Sequence, residues 1–288
     1  MSGRLSSADA CTYARCRRQL FGRARAHSER RLAGRICATL ARMARPQPSL
    51  SQILNALEQL YGPQTAVGPR DPYEMILFLN CGYPATDASC AKGFDALKRD
   101  VGLKPEEILG ASKATLTKLM RLGGIVPEQR ADRLKDIARK VNDEYQGDLT
   151  TVLKEWMQQD QRHPGKAIRA AKKTLQEFPV VGEPSADKIL LFSKLAAVAA
   201  IPSAGVGVPI RLRHGETGKN YAADYRRARE WLSAELPETF QPRQRAYLLL
   251  KKHGQQMCRR STPHCEVCPV TGQCAYIRAR AADHNAHR

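Results

Sequence analysis

Four of the nine cysteines in this 288-residue chain fall in its last 31 residues, at Cys258, Cys265, Cys268 and Cys274. Their spacing is C-x6-C-x2-C-x5-C. Four thiolates on a short, loop-rich segment can converge on one metal centre, because the backbone between them is long enough to wrap it. Zinc is one reading, although structural four-cysteine zinc sites usually come as two CxxC pairs and here there is a single pair. An iron–sulfur cluster is the other, and spacing alone leaves both open. Cys11, Cys16, Cys37, Cys81 and Cys90 are scattered and show no ligand spacing. A disulfide framework is disfavoured, since no secretory-type apolar stretch opens the chain. Arg259, Arg260 and His264, within the first spacer, could face a phosphate backbone or water.

A second chemical feature is the segment Leu175-Gln-Glu-Phe-Pro-Val-Val-Gly-Glu-Pro-Ser-Ala-Asp-Lys-Ile189, two helical patterns joined by a turn with Pro179, Gly182 and Pro184. A helix–hairpin–helix of this kind aims the backbone N–H groups of its turn and of the next helix N-terminus outward, where they can hold a phosphate. Val181, Gly182 and Ser185 would supply that surface, and Lys188, one turn further, a Coulombic contact. An ordinary interhelical turn would look the same.

The elements that must position these residues read as helices nearly throughout. Apolar residues recur at three- and four-residue spacing over Ser51–Tyr61, Pro72–Leu79, Lys113–Leu122, Glu128–Tyr145, His163–Phe178, Ser185–Ala196, Tyr221–Leu236 and Gln244–Met257. Pro127 suits the first turn of the fourth. Strict alternation with β-branched content is rare, so a large sheet is unsupported. An all-α protein of roughly ten helices follows. Ile189–Ile210 carries one charge, Lys194, but Pro202, Gly205, Gly207 and Pro209 break its second half. It reads as a buried helix running into an irregular core segment, with no membrane span.

The chain is strongly basic: 47 Lys and Arg against 28 Asp and Glu give a formal charge of +19. Such a surface attracts polyanions, nucleic acid first and acidic membrane second. Residues 1–46 hold eleven arginines against Asp9 and Glu29, a balance of +9, so the body stays basic without them. That Arg-rich extension, which need not be ordered, has the composition of a transit peptide, of a nucleic-acid-binding arm, or of upstream sequence from a misplaced start. The expected layout is this extension, a helical region over 47–257 with the hairpin near 165–196, a cysteine loop over 258–276, and a tail over 277–288.

Taken together, the helix, the Phe-Pro-x-x-Gly turn, the second helix and then C-x6-C-x2-C-x5-C resemble the helix–hairpin–helix DNA glycosylases of the endonuclease III type. Pro72-Tyr-Glu-Met-Ile-Leu77, Ala85-Thr-Asp-Ala-Ser89, Arg121-Leu-Gly-Gly124 and His253-Gly254 fit the same pattern, which runs from about Leu54 to Tyr276. The resemblance implies two helical lobes flanking a DNA-binding cleft, the second formed by the chain ends. It also implies a 4Fe–4S cluster on Cys258, Cys265, Cys268 and Cys274, double-stranded DNA as partner, and no membrane. A monomer in the cytoplasm, nucleoid-associated in a bacterium, is expected, with an N-terminal targeting segment still open.

Where that family carries a catalytic lysine, two residues after the last hairpin glycine, this chain has Pro184. Where it carries a catalytic aspartate, an ungapped count reaches Pro202, and no acidic residue occurs between Lys188 and His214. Proline has no free amine, so lyase chemistry at Pro184 is excluded. Hydrolysis would need a substitute carboxylate, and Glu183, Asp187 and Asp87 are the weak candidates, each more readily read as a helix-terminal charge. The first hairpin glycine is replaced by Val180, and the gap-filling glutamine by Pro84, beside Tyr83, which could be an aromatic wedge or a core residue. Three functions compete: a glycosylase with altered catalytic residues, a non-catalytic lesion binder on the same scaffold, and an iron–sulfur protein whose basic surface is incidental.

Overall fold

The computed structural model describes residues 49–159 and 163–286. The Arg-rich extension over 1–46 therefore lies outside the described residues. Those described form thirteen α-helices and four short 3-10 turns, with no strand among them. In chain order the helices are α1 (Leu50–Tyr61), α2 (Pro72–Gly82), α3 (Asp87–Asp100), α4 (Pro105–Gly110), α5 (Lys113–Met120), α6 (Pro127–Tyr145) and α7 (Leu149–Gln159). They continue as α8 (Pro164–Gln176), α9 (Glu183–Phe192), α10 (Gly207–His214), α11 (Tyr221–Glu235), α12 (Phe240–Gln256) and α13 (Ala275–Ala286). None is long and apolar enough to cross a membrane.

The starts are set by local chemistry. The Ser49 side chain accepts from Gln52 N and Gln52 reaches back to Ser49 N, closing a capping box at α1. The side chains of Asp71, Thr86, Ser112 and Asn220 each accept one backbone N–H to cap α2, α3, α5 and α11. Proline stands in the first turn of α2, α4, α6, α8 and α9, where a missing N–H costs no helical bond.

Burial divides the helices between two cores. Residues of α2, α3, α6 and α9 dominate one, including Ile76, Leu97, Leu134 and Ile189. The other joins Leu50, Ile53, Leu54 and Leu57 of α1 to Val208, Tyr225, Leu232, Leu249 and Leu250, with Val270 and Cys274 from the cysteine loop. The first described helix thus packs with the C-terminal third, as two lobes require, and Glu58 of α1 pairs with Arg245 of α12 at 2.8 Å.

Some boundaries differ from the sequence expectation. Helix α9 stops at Phe192 rather than Ala196, because Lys194 turns to φ +59° and both Leu195 N and Ala196 N donate to Leu190 O. The segment after it is irregular as expected but ends in α10, where Pro209 sits in the first turn and Gly207 opens it. Helices α3, α4, α7, α10 and α13 had no counterpart in the periodicity, and α13 occupies the expected tail.

Candidate functional site: a two-lobed cleft and a cysteine cavity

The four C-terminal cysteines meet. Cys258, Cys265, Cys268 and Cys274 line one small cavity, together with Arg211, His253, Thr271 and Tyr276. Arg211, on α10 and 6% exposed, holds the first spacer: Nη1 donates to Arg259 O at 2.7 Å and lies 3.5 Å from Cys258 Sγ, and Nη2 donates to Arg260 O at 2.6 Å. Thr271 Oγ1 donates to Cys265 O and Cys268 O at 2.6 and 2.8 Å, closing the second turn. His253 stands behind Cys268 (Nε2 to Sγ 3.7 Å) and shares its Nδ1 with the Tyr61 hydroxyl at 2.9 Å. Burial lowers the His253 imidazole to about 4. Burial also pushes the thiols of Cys258, Cys265 and Cys268 up, so their ionisation needs a neighbouring positive charge. No three His, Cys, Asp or Glu side chains among the described residues are gathered tightly enough for a single ion, and the thiols stand around a cavity instead. Sequence reasoning found the four cysteines but not Arg211, which lies 47 residues from its first partner.

A second cavity opens where the lobes meet. One wall carries Tyr83 through Asp87, another Pro184, Ser185 and Lys188 of α9, a third Pro202–Ala204, and the last Tyr247, Lys251 and Gln255 of α12. Asp87 is the one carboxylate in that lining, and Lys251 Nζ is ion-paired with it. Lys188 Nζ lies 6.0 Å from the centre of the Phe78 ring.

The hairpin keeps its shape despite lacking the first glycine. Val180 takes φ +60°, a left-handed conformation costly for a β-branched residue. Val181 N donates to Phe178 O at 3.2 Å, and Ala186 N to Gly182 O at 2.9 Å. Asn80 fixes the turn from the other side, donating from Nδ2 to Pro179 O at 3.1 Å.

Next to the cleft is an apolar tip that sequence reasoning missed. Leu122, Ile125 and Val126 are exposed, Ile125 by 75%. Buried Arg130 supports this tip and the Tyr83 loop together: Nε donates to Ile125 O at 2.8 Å, Nη1 to Asn80 O at 3.1 Å and Nη2 to Gly82 O at 3.2 Å. Val126 sits at φ +52°, a second β-branched outlier. Positive φ is hard to read from sequence at a valine, and this one gave no signal.

Solved structures share the fold. A trapped endonuclease III–DNA covalent intermediate matches over 80% of this chain and 98% of its own, with a TM-score of 0.60 at 16% identity. A non-covalent endonuclease III–DNA complex does so over 81% and 97%, with a TM-score of 0.60 at 16% identity. A thermostable thymine-DNA glycosylase covers 80% and 96%, with a TM-score of 0.61 at 19% identity. The chain has the helix–hairpin–helix DNA glycosylase fold. No protein-family model and no curated protein matches it.

On this glycosylase fold the sequence-predicted residues separate into two groups. Tyr83, Asp87, Ser185 and Lys188 share the cleft with Pro184 and Pro202. Tyr83 is 37% exposed, so it is not a core residue. Glu183 and Asp187 are not in the lining. Asp187 is 1% exposed, accepts from Tyr225 Oη at 2.7 Å and pairs with Lys172 at 2.9 Å. Glu183 pairs with Lys172 at 2.8 Å and with Arg229 at 2.7 Å. These two carboxylates hold α8, α9 and α11 together and face away from the cleft. Val181 is 4% exposed and its N–H is already bonded, so it points inward, while Gly182 is exposed at the N-cap of α9. Pro184 removes one of the outward N–H groups that such a helix start would offer to an anion.

Proposed function

We propose that this chain is a DNA-binding protein of base-excision-repair type that recognises damaged or mismatched duplex. The observation that carries the reading is the cleft between the lobes, bordered by the exposed N-terminus of α9 and by two apolar tips, Tyr83 and Ile125, on one Arg130 support. An aromatic or aliphatic wedge beside an anion-holding helix start is what opening a base stack calls for. The glycosylase fold and the formal charge of +19 support the same partner. Two of the solved structures with this fold are DNA complexes of endonuclease III.

We further propose that Cys258, Cys265, Cys268 and Cys274 hold a 4Fe–4S cluster. The fit rests on four thiols around one cavity, with the Arg211 guanidinium against Cys258 Sγ. Such a cluster would supply a rigid cross-link for the loop between α12 and α13. Hydrolytic base removal has weak support, since the one cleft carboxylate is paired with Lys251. This favours lesion recognition over glycosylase turnover.

The test is a panel of duplexes bearing uracil, oxidised, alkylated or mismatched bases, measured for affinity and, after hot alkali, for base release. Tighter binding to one of them than to plain duplex, with no alkali-dependent cleavage, is expected. Equal affinity for all would sink lesion recognition, and efficient release would restore the glycosylase reading.

A further inference from the structure

A third cavity lies beside the cleft, and Ser203 and Ala204 line both, so the two share a border. Three cations surround it, Arg211, Lys219 and Arg260, against one carboxylate, Asp224. We propose that this cavity holds the terminal phosphate of a broken DNA strand. The proposal rests on the DNA reading above and adds a substrate class, duplex interrupted by a nick, at a separate site.

Charge comes first. Asp224 is 4% exposed and both its oxygens are engaged: Oδ1 pairs with Arg227 at 2.6 Å, and Oδ2 accepts from Gly218 N at 2.8 Å. Arg211 is buried and donates to the carbonyls of Arg259 and Arg260, at 2.7 and 2.6 Å. It therefore fixes the backbone from which the Arg260 side chain projects. The side chains of Lys219 and Arg260 are exposed and make no ion pair or hydrogen bond among the described residues. Their positive charge is open to an anion, and the hydroxyls of Ser203 and Thr217 in the same lining can donate to its oxygens.

Shape selects the kind of anion. An internal phosphodiester continues on both sides and carries a single negative charge, so it suits a ridge. A terminal phosphomonoester carries roughly −1.5 to −2 at neutral pH and can enter a concavity end-on. Tyr221 adds a wall to the cavity: its ring stacks on Tyr225 with 21° between the planes, and the residue is still 48% exposed. A strand end presents an unstacked base, for which an exposed aromatic face is a platform.

The test uses the full chain and duplexes nicked at one position. The nick carries a phosphate at its 5′ end, a phosphate at its 3′ end, or hydroxyls at both. Expected is binding at least about tenfold tighter to one phosphorylated nick than to the hydroxyl nick, ~1.4 kcal/mol. Inorganic phosphate, added at constant ionic strength, should compete with that duplex and leave binding to the hydroxyl nick unchanged. Lys219→Gln combined with Arg260→Gln should remove the preference. The readout is a ratio between two duplexes on the same protein, so a general loss of DNA affinity or of folded protein does not imitate it. Equal affinity for phosphate and hydroxyl nicks would overturn the assignment while leaving lesion recognition standing. A preference that survives the double substitution would overturn it too. Failure to bind any of the duplexes would overturn both readings.

Discussion

Two valines carry backbone conformations that suit glycine, Val180 in the hairpin and Val126 at the apolar tip. Val126 is 48% exposed, caps α6 without a side-chain bond and takes φ +52°, so its side chain gains little from burial. Left-handed strain of this kind costs about 1–3 kcal/mol, and glycine is the better N-cap. Val126→Gly should therefore raise stability by roughly 1 kcal/mol after the glycine entropy is counted. The same change should weaken binding to mismatched duplex. Urea unfolding and titration of a mismatched duplex read the two effects, and a variant neither more stable nor weaker in binding would remove Val126 from the recognition tip. At this scale the sequence was partly legible. Cysteine spacing led to the cysteine cavity, and Lys188 and Tyr83 were found as cleft residues. Glu183 and Asp187 misled, because a carboxylate near a helix start looks the same whether it faces a cleft or, as here, Lys172 and Arg229.

At the scale of elements, the approach of α12 to the segment Pro202–Gly205 shapes the fourth side of the cleft. A Cβ at Gly254 would stand 2.2 Å from Ala204 O and 3.0 Å from Gly205 Cα, backbone atoms that cannot rotate away. At Gly205 it would meet Leu250 O at 3.0 Å. The two segments touch main chain to main chain, so Gly254→Ala should destabilise by about 1–3 kcal/mol, as overpacking does, and displace Pro202–Ala204 from the cleft wall. Gly110→Ala is the control, since nothing lies within 4 Å of its Cβ. Equal melting temperatures for the two variants would refute the close approach. Helix periodicity was legible where a helix has one apolar face, as in α6 with Ala131, Leu134, Ile137, Ala138 and Val141. It failed for α3 and α10. Helix α3 is polar on average despite burying Cys90, Phe94 and Leu97, and α10 is short and begins Gly-Val-Pro, which reads as a break. That α1 pairs with α12 was not legible from periodicity, because the contact spans 187 residues, and only the family resemblance implied it.

For the described residues as a whole, the cysteine loop is where α1 and the C-terminal segment are tied into one lobe. Leu50 to Leu57 share a core with Val270 and Cys274, and Tyr61 reaches His253, which stands behind Cys268. Arg211 extends the tie from α10 into the first spacer, holding the carbonyls of Arg259 and Arg260. A guanidinium so used fixes the backbone of two basic residues, leaving Arg259 and Arg260 themselves exposed beside the loop. If the four thiols hold a 4Fe–4S cluster, losing one ligand should release this spacer and with it the placement of both arginines. Cys265→Ala is the informative variant, because Cys265 lies toward the outside of the loop while Cys274 is 9% exposed and part of the core. It should abolish the brown absorbance and lower duplex affinity about tenfold, an effect of ~1.4 kcal/mol. The dependence on salt should become shallower too, as lost phosphate contacts require. The first lobe, whose core has no residue from the loop, should keep its helical circular dichroism. Colour lost with affinity and salt slope unchanged would mean that the loop holds the lobe together without touching DNA. Colour retained would mean that Cys265 is not a ligand.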